Sequence, residues 1–513
     1  MKRSWALAIL LGAASTAGFL LFSVVHGTVG FALDDAWIHQ VYARNLATRG
    51  EFAFFAGQPS AGSTSPLWTI LLAVGYILRL DPLIWTYVLG AVLLGASAVV
   101  AARLAERVAA SAASFTASPV GLLAALSIAF EWHMAWSAAS GMEIPLFVLL
   151  SLLLVDRLLR QGRAIVMGVL AGLLFLTRPE GIVLAGLVGL ALVLRQRVIA
   201  NSATSVEGIG RGERGTAIAE RTRRGLVYGV GLIALVVPYA IFNVAVSGTL
   251  FPNTFYAKAA EYAILFDRAS FVVRWLQLLE TPWIGAQILL VPGFVYVSLL
   301  LVRNKQWAAL VPVAWVFLLP ALYAFRLPVA YQHGRYEMPV IPFILVYGLV
   351  GSVALLTRMR LTSRLRMLAS ALTASAAVLL AAFWFLGANA YASDVAIIDC
   401  EMVQTARWVA ANAPKGSVVA AHDIGALGYY YDGPIVDMAG LVTPDVIPFI
   451  RDQGRLRDYL LSRQAALAVF FPDWYPRLAE DPDFAPVHRQ DCPATRQAGG
   501  TDLVVYSVSS SGR

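Results

Sequence analysis

Charge is scarce in this chain. Only 14% of its 513 residues are Asp, Glu, Lys or Arg, against 59% hydrophobic residues and a mean hydropathy of +0.69. A soluble globular protein carries about 25% charged residues, so this balance excludes one and places the chain among polytopic membrane proteins. Cysteine is nearly missing as well. Cys400 and Cys492 are too few for a disulfide framework and lack metal-site spacing. There is no P-loop, GxGxxG, HExxH or GxSxG in a fitting context, which argues against ATP use, nicotinamide use and the common hydrolases. No internal repeat or heptad is present.

The net charge of +8 does not imply a nucleic-acid partner, because the arginines gather in short clusters between apolar runs, the pattern of cytoplasmic loops. The clusters are Arg157–Arg163, Arg195–Arg224, Arg303/Lys305 and Arg358–Arg366. Residues 4–25, after Lys2 and Arg3, are too long for a signal-peptide core and read as an uncleaved first span. With the clusters inside, spans cross in pairs: 164–177 with 180–198, 225–246 with 284–302, and 306–325 with 338–357. The last span, 367–390, exits. Earlier apolar runs at 83–102, 119–137 and from Glu143 also cross, whereas 66–80 is short of the roughly 20 residues a span needs and reads as re-entrant or interfacial. The expectation is about eleven spans in the plasma (inner) membrane, surrounded by lipid, with the N-terminus cytoplasmic. The segment 201–225 reads as a flexible polar loop.

From 392 the composition changes to short apolar strands (SVVAA, PIVDM, LAVFF, DLVVYSV) and an amphipathic helix (MVQTARWVAANAP). Two domains follow: a membrane domain, 1–391, with its first outer loop at 26–82, and an extracytoplasmic α/β domain, 392–513. Both cysteines fall in the latter, where an oxidising compartment makes a Cys400–Cys492 disulfide plausible.

The outer face collects the chemistry. Asp34-Asp35 opens a helix whose apolar face is Trp37, Ile38, Val41, Tyr42 and Leu46, with His39, Gln40 and Arg44 opposite. That helix is expected in the interface plane, its positive end at the two carboxylates. The bland alternative is an N-cap plus a first-turn charge. Glu143 stands in SGME before a span, where capping is again the alternative. Thr177-Arg178-Pro179-Glu180-Gly181 joins two spans, and the preferred reading pairs Arg178 with Glu180. Lys258 in FPNTFYAK suits an anionic headgroup or snorkels. In HGRYEMP, His333 and Arg335 suit a phosphate, unless Arg335 pairs with Glu337. Asp423 and Asp437 are as suited to strand ends or loops as to binding.

Taken in order, Asp34-Asp35 with its helix, GSTSPLW, SGME, TRPEG, FPNTFYAK, HGRYEMP and the segment HDIGALGYYYDGPIVDMAGLVTPD resemble the GT-C superfamily of integral-membrane glycosyltransferases. The likeness extends to the bacterial sets that include mycobacterial-type arabinofuranosyltransferases. It implies the GT-C fold, a polytopic α-helical membrane protein with an outer α/β domain. It also implies an inverting transferase moving a sugar from a polyprenyl-phosphate donor to a glycan, lipid or protein acceptor of the cell envelope. An aspartate of the first outer loop would be the base: Asp34 or Asp35, with Asp34, the first-placed acid, slightly preferred. Glu143 would meet acceptor or metal, a divalent cation being the one cofactor left open. Lys258, His333 and Arg335 would face the donor phosphate, supported by His39, Arg44, Arg178, Glu180, Tyr256 and Tyr336. SAGSTSPLW departs from the EGYTSPLW expected of the family, losing an acid and an aromatic. A monomer is expected. The competing classes are a transporter or lipid-linked-sugar flippase, which calls for charges buried mid-span, and an envelope scaffold or receptor.

Overall fold

The computed structural model describes residues 2–113, 119–194, 211–358 and 363–509. Eighteen helices precede the C-terminal domain: α1 (Lys2–Val25), α2 (Asp34–Arg49), α3 (Pro66–Ile77), α4 (Pro82–Ala113), α5 (Val120–Phe130), α6 (Trp132–Ala139), α7 (Ile144–Leu159), α8 (Ala164–Thr177), α9 (Gly181–Leu194), α10 (Arg211–Ser247), α11 (Asn253–Glu261), α12 (Leu265–Arg268), α13 (Phe271–Glu280), α14 (Val291–Arg303), α15 (Val311–Arg326), the short turn α16 (Tyr331–Gly334), α17 (Ile341–Arg358) and α18 (Ser363–Ile398). Among the described residues, seven helical stretches are long and apolar enough to cross a membrane, and shorter apolar helices lie beside them. The expected tally of eleven crossings needs α5, α7, α8 and α9 to span as well. α3 has 12 residues and is not needed for it.

Lipid is as apolar as leucine, so membrane helices gain by letting backbones approach closely at small residues. A Cβ on Gly12 of α1 would stand 2.6 Å from the Gly95 nitrogen of α4, and one on Gly351 of α17 would stand 1.8 Å from the Gly293 oxygen of α14. One expected span is divided here, and one expected loop is helical. The run 119–137 is not one helix, because Glu131 breaks it between α5 and α6. Its buried carboxylate caps Met134 N at 2.9 Å and binds His133 Nδ1 at 2.6 Å. The polar segment 201–225 is helical from Arg211, where its Ala, Glu and Arg favour a helix; residues 195–210 lie outside the described residues.

α18 runs past residue 391 and continues through a wide turn, Asp399–Gln404, into α19 (Thr405–Asn412). A two-stranded hairpin, β1 (Ala53–Phe55) and β2 (Gln58–Pro59), lies in the loop after α2. The C-terminal sheet comprises β3 (Val418–Ala421), β4 (Ile435–Asp437), β5 (Ala465–Phe470), β6 (Phe484–Arg489) and β7 (Val504–Val508), in the order β4-β3-β5-β7-β6. β4, β3 and β5 are parallel; β7 runs antiparallel to β5, and β6 antiparallel to β7, so only β7 opposes the other four strands. β6 escapes sequence reading because FAPVHR is mostly exposed and carries a proline. A disulfide joins Cys400 to Cys492, Cα atoms 5.9 Å apart.

The helix expected in the interface plane is instead interior. α2 is buried along most of its length, because α3 covers one side and a short helix after β3, α20 (Gly425–Tyr430), covers the other. Asp34 accepts from Gly425 N (2.6 Å) and Ala426 N (2.8 Å) at the start of α20, while Arg44 donates to Gly428 O and Tyr429 O at its end. These contacts place charge of the favourable sign at both ends of α20. A Cβ on Gly425 would lie 2.1 Å from the Asp34 oxygen, so only glycine allows this seam to close.

Candidate functional site

A cleft lies between the membrane helices and the C-terminal domain, and charged side chains from six separate segments converge in it. Asp35, at the start of α2, accepts on Oδ2 from Arg335 Nη2 at 2.6 Å and Lys258 Nζ at 3.3 Å. The Tyr336 hydroxyl accepts from the same two cations, at 3.2 and 3.4 Å. Burial alone would raise the Asp35 carboxyl, but Lys258 and Arg335 outweigh it and hold the group well below the usual carboxylate range. Lys258 is pushed up in turn, its burial outweighed by Asp35. Arg335 is 3% exposed, and its Nε and Nη1 have no hydrogen-bond partner. Buried guanidinium donors left unbonded are costly unless an anion meets them.

Across the cleft, Glu143 faces His39 Nε2 at 3.5 Å and Arg178 Nη1 at 3.7 Å. Burial raises its carboxyl, yet the His39 bond and Arg178 bring it down to about 2. Arg178 bonds Glu180 at 2.5 Å, as its sequence position suggests, and donates to the Tyr323 hydroxyl at 2.9 Å. Arg178, Lys258, Arg326 and Arg335 thus line one cleft with Asp35, Glu143 and Glu180.

The two adjacent aspartates are separated by the fold. Asp34 turns away from the cleft and into the seam, where burial and the neighbouring Asp423 push its carboxyl up to about 7. His333 also leaves the cleft. Gln332, His333 and Gly334 all take left-handed backbone (φ 54, 60 and 65°), and this turn sends Arg335 toward Asp35 but His333 to Asp394, with Nε2–Oδ2 at 2.8 Å. His333 packs there against Trp132 and Trp136 and does not line the cleft. Arg335 pairs with Asp35, not Glu337. Arg44 serves the seam. Tyr256 packs on Phe255 and does not line the cleft. Tyr323 and Arg326 escaped sequence reading because they lie on the apolar helix α15, where only the fold shows which residue turns inward. The GSTSPLW segment passes the cleft with Gly62 so close to Tyr42 and Leu441 that a Cβ would meet their oxygens at 2.6 and 2.9 Å.

The fold recurs in solved structures. ArnT of Cupriavidus metallidurans bound to undecaprenyl phosphate aligns with TM-score 0.59 at 16% identity, over 99% of this chain and 98% of its own. The chain has the GT-C fold. The archaeal oligosaccharyltransferase AglB of Archaeoglobus fulgidus, in complex with an inhibitory peptide and a dolichol-phosphate, aligns with TM-score 0.59 at 11% identity, over 100% of this chain and 75% of its own. The mycobacterial arabinofuranosyltransferase AftD aligns with TM-score 0.50 at 15% identity, over 99% of this chain but 42% of its own. A domain of unknown function (DUF8728) matches residues 388–506, which take in the end of α18 and the C-terminal sheet. No curated protein matches the chain by sequence.

Among the described residues no three His, Cys, Asp or Glu side chains are grouped to hold a metal ion. The nearest acids, Asp35 and Glu143, are each already faced by two cationic or imidazole groups. The residues present therefore do not fit a divalent ion.

Proposed function

We propose that the protein is a membrane glycosyltransferase that takes a sugar from a polyprenyl-phosphate donor at the outer membrane face and passes it to a cell-envelope acceptor. One observation carries the reading: Arg335, buried with two unbonded donors, meets Lys258 at a carboxylate inside a cleft that opens beside apolar helices. The fold shared with enzymes whose structures hold undecaprenyl phosphate or dolichol-phosphate supports it.

Asp35 is the base in this reading, and the cations explain how it becomes one. Alone with Lys258 and Arg335, its carboxylate is too weakly basic to take a proton efficiently. A donor phosphate competes for both cations through charge-assisted bonds. The phosphate charge, met by the free Arg335 donors and by Lys258, offsets the pull of these cations on Asp35, so donor binding raises the basicity of the carboxylate. The acceptor oxygen then bonds to the anomeric carbon as the carbon–oxygen bond to phosphate breaks. The acceptor proton passes to Asp35, and the bonding pair leaves as polyprenyl phosphate, its charge stabilised by the same cations. A single displacement of this kind inverts the anomeric centre. Glu143, His39 and Arg178 fix the opposite wall.

Purified protein in proteoliposomes, given polyprenyl-phosphate sugars and envelope acceptors extracted from its host, tests the reading. Conversion of donor to free polyprenyl phosphate is expected. Movement of intact donor across the bilayer without cleavage would make it a flippase and overturn the proposal.

A further inference from the structure

In an open α/β sheet, ligands bind in the crevice beyond the carboxyl ends of the strands, where the strand order reverses direction. In the C-terminal sheet the chain goes from β3 to β4 on one side, then crosses to β5 on the other. The reversal therefore lies between β3 and β5. The residues just past their carboxyl ends are His422-Asp423 and Phe471 to Trp474.

Those residues make an uncommon surface. Trp474 is 49% exposed although it lies against His422, ring centroids 4.9 Å apart, and against Phe471 at 4.8 Å. His422 is held by the Tyr475 hydroxyl at 2.7 Å and faces Glu261 Oε1 at 3.6 Å. Asp423 has a buried Oδ2 without a hydrogen-bond partner. Glu261 sits one helical turn beyond Lys258 on α11, so a single helix links this crevice to the cleft. Asp423 is near enough to Asp35 and Glu261 for their charges to raise its carboxyl beyond what burial does.

We propose that this crevice is the acceptor subsite and that it takes a neutral saccharide, with a ring face on Trp474 and hydroxyls toward Glu261 and Asp423. The inference rests on the transferase reading given above. A half-exposed indole offers a flat apolar face with its edge in water, suited to the C–H face of a sugar ring. Carboxylates with spare acceptor capacity suit hydroxyl donors. The same carboxylates disfavour a phosphorylated or otherwise anionic acceptor. Lys258, whose charge reaches Asp423, disfavours a basic one.

The test uses full-length protein in nanodiscs against arrayed arabinan, galactan, mannan and glucan oligosaccharides, with arrayed basic peptides and anionic lipids as rival arms. Binding of undecaprenyl phosphate is measured in parallel. One oligosaccharide class is expected to bind, and Trp474→Ala or Glu261→Gln should weaken it at least ten-fold while undecaprenyl phosphate binding stays unchanged. Capture of peptide or lipid in place of saccharide, no saccharide binding, or saccharide binding unaltered in both variants would overturn the proposal. Loss of undecaprenyl phosphate recognition by the wild type would instead count against the transferase reading, so the two failures are distinguishable.

Discussion

Asp34 and Asp35 are neighbours in the chain, yet one belongs to the seam beneath the C-terminal domain and the other to the cleft. In the seam, burial and the neighbouring Asp423 outweigh the backbone N–H bonds to the carboxylate, so its proton is held to about 7. In the cleft, Lys258 and Arg335 meet the carboxylate and strip its proton. Identical side chains acquire opposite electrostatics from what the fold brings to each. The seam uses its acid to join two elements; in the proposed function the cleft holds its acid where an anionic donor would release it from its cations.

The sharpest way to break this comparison is to neutralise each acid. Asp35→Asn should cost roughly 100- to 10,000-fold in transfer, the usual contribution of a general base, with the melting temperature nearly kept. Asp34→Asn should leave transfer per folded molecule within about ten-fold, because the amide oxygen still accepts one backbone bond. Arg335→Ala comes next. It should abolish measurable undecaprenyl phosphate binding and also free the Asp35 carboxyl, which would titrate nearer the ordinary carboxylate range by NMR. His333→Ala, by contrast, should leave lipid binding within about three-fold, since His333 serves Asp394.

Much of this was legible in the sequence, and the limits have physical causes. Apolar runs and arginine clusters mark the helices, because hydrocarbon and the charge rule leave few options. The motifs also named Asp35, Glu143, Lys258 and Arg335. Which acid of the pair faces the cleft was not legible: α2 is covered on two sides, and its partner α20 lies about 390 positions away in the chain. Adjacency in HGRYEMP suggests a shared target for His333 and Arg335. Three consecutive left-handed residues send His333 and Arg335 apart.

The seam offers smaller effects. Gly425→Ala should destabilise docking by about 1–3 kcal/mol through overpacking, read as earlier proteolysis of the C-terminal domain. The smallest effect expected is on pH. Asp34 has a folded-state pKa above its ordinary 3.8, at about 7. Its contribution is complete below the lower value and is lost as pH rises through the upper one. Asp35 runs the other way, contributing above its ordinary range and losing that as pH falls. Melting measured from about pH 5 to pH 8 should therefore decline less in Asp34→Asn than in the wild type.

The central claim, that Asp35 and not Asp34 does the chemistry, has a direct test that needs no knowledge of the sugar. Mass spectrometry of lipid-linked sugars is run in a host lacking the protein and complemented with each variant. Asp35→Asn should leave a polyprenyl-phosphate sugar accumulated as in the empty host, while Asp34→Asn should clear it. Clearance by Asp35→Asn with accumulation in Asp34→Asn would contradict the account.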